Sequence, residues 1–103
     1  METYDLARLA IAQHSQSWSL SFSKARLMIV SDHGTRQWYI EIDGINDADL
    51  LHRFAESEHI DVRMKATTIG GKELEGQGFF HPNPRHRAAA IRGDGQLAGY
   101  EAP

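Results

Sequence analysis

Three stretches of this chain alternate apolar and polar residues one by one, and that period of two limits the fold more than any other feature. Trp18, Leu20 and Phe22 alternate with Ser17, Ser19, Ser21 and Ser23. Trp38, Ile40 and Ile42 alternate with Tyr39, Glu41 and Asp43, and Ile60, Val62, Met64 and Ala66 alternate with Asp61, Arg63, Lys65 and Thr67. Successive side chains of a strand point to opposite faces, so each stretch reads as a strand with one covered and one wet face.

The segment Ala25 to Ser31 is denser, with Leu27, Met28, Ile29 and Val30 in a row, and is expected to lie centrally with both faces covered. Asp32-His33-Gly34 supplies a turn to the strand Gln37 to Asp43, so the first three strands form a meander. Two helices are expected around them. From Thr3 to His14, Tyr4, Leu6, Ala7, Leu9, Ala10 and Ile11 recur at helical spacing. After Asp43-Gly44, Asn46 or Asp47 can cap a second, short amphipathic helix carrying Leu50, Leu51 and Phe54 to about Glu58.

Loop chemistry discriminates between registers for the strand that follows. A two-residue Gly70-Gly71 loop would set Met64 against Gln77 and Ala66 against Glu75, which mixes core and solvent faces. A three-residue loop, Gly70 to Lys72, instead pairs Val62 with Phe80, Met64 with Gly78, Ala66 with Gly76 and Thr68 with Leu74, and brings Lys65 diagonal to Glu75. Gly76 and Gly78 then lie on the inner face, where something bulky, such as a helix or Met64, should cover them. Pro82 and Pro84 make His81 to His86 a stiff extended loop. Ala88 to Arg92 and Gln96 to Glu101 read as a last hairpin across Gly93-Asp94-Gly95, with Ile91 opposite Leu97 and Arg87 opposite Glu101.

The expected fold is therefore α+β, one domain over residues 1–103. It is an antiparallel, strongly bent sheet, or a partly closed barrel, of about six to seven strands with two short helices, in the order α-β-β-β-α-β-β-β-β. There are no cysteines, which excludes disulfides, thiol chemistry and cysteine-ligated metals. Met1 to Ala12 has no basic leader and carries Glu2, Asp5 and Arg8, so neither a signal peptide nor a membrane span is expected, and the cytoplasm is the expected compartment. The formal charge is −3, with five Lys/Arg against ten Asp/Glu in residues 1–61 and six against four in residues 62–103. So weak an imbalance argues against nucleic-acid binding by the whole surface.

No set of residues has the pattern of a catalytic or metal centre. Ser31, Asp32 and His33 are the ingredients of a triad, but neighbours in sequence point in different directions. His59 with Asp61 and His52 with His59 read as surface pairs. His81 and His86 flank the proline loop without the further ligands that zinc requires, and Asp43, Asp47, Asp49 and Asp61 lack calcium-loop spacing. No catalytic residue, cofactor or metal is expected. Tyr39, Phe79 and Tyr100 fall on outer faces, where aromatics anchor protein contacts. Together with free sheet edges they suggest a non-enzymatic protein-interaction or assembly module, binding a protein partner or itself. A small accessory protein of phage or mobile-element type fits this expectation on size alone. The alternative is a nucleic-acid-binding domain: Arg85, Arg87 and Arg92 add positive charge beside Phe79, a stacking surface.

Overall fold

The computed structural model describes residues 1–101. Seven strands and one α-helix follow in the order β1 (Glu2–Gln13), β2 (Gln16–Ser19), β3 (Lys24–Asp32), β4 (Thr35–Asp43), α1 (Ala48–Glu56), β5 (Asp61–Thr68), β6 (Glu73–Asn83) and β7 (Ala88–Ala98). All pairings are antiparallel, in the spatial order β2-β1-β3-β4-β7-β6-β5, and β5 returns to pair with β1. Six strands thus close into a barrel, with β2 as an extra strand on β1. Every second residue of each wall strand points inward. Leu27, Ile40, Met64, Phe80 and Ile91 have no measurable exposure, and burying each such side chain is worth about 1.5–3 kcal/mol.

The expected first helix, Thr3 to His14, is instead the longest strand of the barrel, and a bulge explains the misreading. β1 pairs with β3 over Glu2–Asp5 and with β5 over Leu6–Ala12, and its register slips between Leu6 and Arg8. The extra residue there keeps Leu6 and Leu9 both inside despite their spacing of three. A bulged strand therefore imitates the first step of a helical stripe. The second expected helix is present as α1: the Asp47 side chain accepts the Leu50 N–H at 3.0 Å, and Leu50, Leu51 and Phe54 face the core.

β3 and β4 form the expected hairpin; they pair from Lys24↔Asp43 to Asp32↔Thr35, so the turn is His33-Gly34, both at positive φ, and Asp32 belongs to the strand. The serine-rich strand is shorter than its alternation suggests, ends at Ser19, and pairs with β1 rather than β3, so the expected three-strand meander does not form: β1 lies between them. Between β5 and β6 the loop has the expected three residues but is Ile69–Gly71 rather than Gly70–Lys72: the Thr68 N–H donates to the Lys72 carbonyl at 2.8 Å. Gly71 takes the left-handed position, φ +94°, that this loop requires. Met64 consequently faces Gly76, Ala66 faces Leu74, and the diagonal ion pair is Arg63–Glu75 at 3.1 Å, with Lys65 directly opposite Glu75. Shifting both partners by an even total preserved the face of every side chain while changing its neighbour.

The expected last hairpin is a single strand. β7 runs through Gly93-Asp94-Gly95 without reversing, and pairs with β6 from Asn83↔Ala88 to Glu75↔Ala98. The register jumps from Gln77↔Asp94 to Gly76↔Leu97, so Gly95 and Gln96 form a bulge, not a turn. Ile91 does not face Leu97, and Arg87 does not face Glu101. Of the two glycines expected on the inner face, Gly76 is covered by Trp38 and Gly78 by Ile91 and the Arg92 backbone, rather than by a helix or Met64, and Trp38 also covers Gly93. A Cβ on Gly93 would stand 2.4 Å from the Trp38 ring, and one on Gly76 would stand 2.8 Å from it. The indole N–H donates to the carbonyl of bulged Gly95 at 3.1 Å. Pro82 does not break β6, because it lies past the last β5 pair, Asp61↔Phe79, where β6 has one neighbouring strand. Only Pro84 to His86 leaves the strand, as a single 3-10 turn ended by Arg87 at φ 49°.

Closure makes the two barrel ends different. α1 connects the end of β4 to the start of β5 and plugs that end. Phe54 packs edge-on against Phe80 at 4.9 Å and Trp18 at 5.6 Å. The opposite end, where β3 turns into β4 and β5 into β6, has no helix.

Candidate functional site

The closed wall decides which expected site residues meet. Tyr39 of β4 lies opposite Arg92 of β7, and Arg92 lies opposite Phe79 of β6, so the three form one row across the outside of the barrel. The Arg92 guanidinium stacks over the Phe79 ring at 5.1 Å, while both aromatic residues are half-buried. The row continues to Met28 of β3, which is opposite Tyr39 and only 7 % exposed although it lies outside the core cluster. Asp61 of β5 ends it beyond Phe79.

Beside this row a shallow groove follows β7. Its floor is formed by Ala88 and Ala90, with Tyr39, Glu41 and Asp43 on one side and His81 and Asn83 on the other. The groove consists of two adjoining depressions of about 460 and 390 Å³ that share His81 and Ala90. The alanine run splits by alternation: Ala89 faces the core, and its neighbours line the groove.

Tyr100 is not part of this patch. It follows β7 at the helix-free end, where its hydroxyl donates to the Glu2 carboxylate. That hydrogen bond, then burial and the negative charge of Glu2, raise the Tyr100 pKa above the usual 10.0. Arg85 and Arg87 sit at the plugged end, in and after the 3-10 turn, and are exposed. The Arg87 carbonyl accepts the Ile45 N–H at 2.8 Å, so its backbone anchors the segment leading to α1. Arg92 is four residues into β7 from Ala88, which places it roughly 13 Å along the strand. The three arginines therefore do not form one cluster.

The histidines are dispersed. His33 is 94 % exposed at the β3–β4 turn, 3.3 Å from its neighbour Asp32. His59 is exposed between α1 and β5 and meets the edge of His14 at 6.5 Å. Sequence reasoning missed this pair because His14 lies in the turn after the strand taken for a helix. Gln13 stitches the same corner by donating to the carbonyls of His59 and Asp61 at 2.9 and 3.0 Å. Among the described residues no three His, Asp or Glu side chains converge to hold a metal. Among the described residues no helix is long and apolar enough to cross a membrane.

Barrel closure also changes the question of edges. In the sheet order only β2 ends the sheet, and α1 reaches across it: Arg53 hydrogen-bonds Gln16 and stacks over Trp18 at 5.3 Å. No family model, curated protein or solved structure matches the chain.

Proposed function

We propose that the protein is a non-enzymatic protein-interaction module that docks through the Tyr39–Arg92–Phe79 row and the groove beside it. The observation that carries this reading is an exposed arginine on the outside of a barrel, in register with two half-buried aromatic residues and stacked over one of them, Phe79. Aromatic and arginine side chains are the usual anchors of protein contacts, and the Phe79 ring holds the arginine in place before binding. Association through this row uses the wall of the barrel rather than a sheet edge. The dispersed histidines, with His33 in a solvated turn, support a binding role over catalysis.

Sedimentation equilibrium of the wild type, Tyr39→Glu and Phe79→Glu across a range of concentrations tests self-association through this surface. A concentration-dependent mass that falls to that of the monomer in both variants, with unchanged thermal unfolding, supports it. A wild type that stays monomeric throughout, or variants that associate as well as the wild type, rejects self-association by this route.

The second reading, nucleic-acid binding through Arg85, Arg87 and Arg92, draws on the Arg92–Phe79 stack as a platform for a base. Glu41, Asp43 and Asp61 on the same outer surface weigh against it, since they repel phosphates. Fluorescence anisotropy of labelled oligonucleotides at several salt concentrations separates the two. Saturable binding that weakens steeply with salt and is lost on replacing these arginines favours the second reading.

A further inference from the structure

The helix-free end of the barrel contains a second, chemically different cavity. β4 and β7 pair only over Tyr39–Ile42 and Ala89–Arg92. Beyond Tyr39, Thr35 to Trp38 leave the ladder, and the bulge at Gly95 and Gln96 carries β7 away from them. The resulting opening has a volume of about 530 Å³ and is lined by Ile29, Arg36, Trp38, Gln96, Leu97 and Tyr100. Its depth is apolar, with Ile29, Trp38 and Leu97 all less than a tenth exposed. Its rim carries one cation, Arg36, whose guanidinium lies 5.0 Å over the Tyr100 ring; Lys72, outside the lining, has its Nζ 6.0 Å from the same ring.

Neither cation has a carboxylate within ion-pair distance among the described residues. Glu2, the acid at this rim, accepts the Tyr100 hydroxyl. Tyr100 thus has both positive groups near its ring while its hydroxyl engages the neighbouring carboxylate. Arg36 follows from the fold directly: it is two residues from Trp38 on β4, so alternation puts it on the inward face just where that face emerges.

We infer that this mouth binds a small organic carboxylate, its anionic end held by Arg36 with Lys72 beside it and its apolar body against Trp38, Ile29 and Leu97. A planar guanidinium suits a carboxylate, which it can engage through two parallel hydrogen bonds. An apolar pocket with a few convergent polar groups is the usual form of a small-ligand site. The site lies apart from the Tyr39–Arg92–Phe79 row and does not depend on it.

The probe is sodium benzoate, with benzyl alcohol as its uncharged counterpart, read by the fluorescence of Trp38 in a Trp18→Phe background. Backbone amide shifts of Arg36, Gly95 and Gln96 give a second readout in the unaltered protein. Saturable changes with benzoate are expected, with much weaker changes for benzyl alcohol. Arg36→Gln, a change at an exposed position, is expected to weaken benzoate binding about tenfold while the melting temperature holds. Arg85→Gln, at the other end of the barrel, is expected to leave it unchanged. Absence of saturable benzoate binding, equal binding of benzyl alcohol, or undiminished binding by Arg36→Gln would each overturn the inference.

Discussion

The two ends of the barrel solve the same geometric problem in opposite ways. A closed sheet leaves its inward side chains without cover at top and bottom. At one end α1 supplies that cover: Leu50, Leu51 and Phe54 are almost fully buried and continue the core. At the other, the barrel ends in Arg36, Lys72, Glu2 and Tyr100, and only Trp38 bridges the space between β4 and β7, through its hydrogen bond to Gly95. The comparison shows where this fold keeps its stability and where it leaves room for a ligand.

If that contrast is right, removing the plug is the largest single perturbation. Phe54 touches both Phe80 and Trp18, so Phe54→Ala empties the space between helix and barrel, and chemical denaturation is expected to show a loss of about 3–5 kcal/mol. A loss below 1 kcal/mol would mean that α1 is an ornament on a barrel stable without it.

A smaller effect sharpens the same point. Asp47→Ala removes the side chain that accepts the Leu50 N–H and is expected to cost about 1 kcal/mol by the same measurement. Its effect should largely vanish in the Phe54→Ala background if α1 is already detached there.

The smallest effect belongs to the open end and appears in titration rather than in stability. The Tyr100 pKa is raised because its hydroxyl donates to Glu2, so folding favours the neutral phenol. The raised value means that this contribution is fully present below pH 10 and is lost as pH rises through the folded-state pKa. Absorbance at high pH should therefore show one tyrosine ionising late. Glu2→Gln is expected to bring that step back toward the usual range, and Tyr100→Phe to abolish it. If no tyrosine ionises late in the wild type, the rim is not held as described.

Much of the wall was legible before any coordinates. The alternation in Gln37 to Asp43 and in Ile60 to Thr67 marks the inward residues correctly because side-chain direction in a strand is a local property. Asp47 and the Leu50, Leu51, Phe54 stripe marked α1 for the same reason. The two largest errors share a cause too. At Ala7 and at Gly95-Gln96 a bulge interrupts the period of two, so that β1 resembled a helix and β7 resembled a hairpin. Of the candidate surface, Tyr39, Phe79 and Arg92 were each visible as outward residues, but their meeting in one row was not. Arg36 and Lys72 carried no signal of their own, since a cation near a turn ordinarily faces water.

The sequence by itself determined which residues face inward along each regular strand, where the capped helix begins, and that no cysteine chemistry is possible. Only the tertiary structure decided that β5 returns to β1, that Tyr39, Arg92 and Phe79 align, and that Trp38 fills the space over Gly76 and Gly93. The reason is physical range. Alternation and capping act between residues a few positions apart, whereas closure and register depend on pairing between strands distant in the chain, where a bulge of one or two residues redirects everything beyond it.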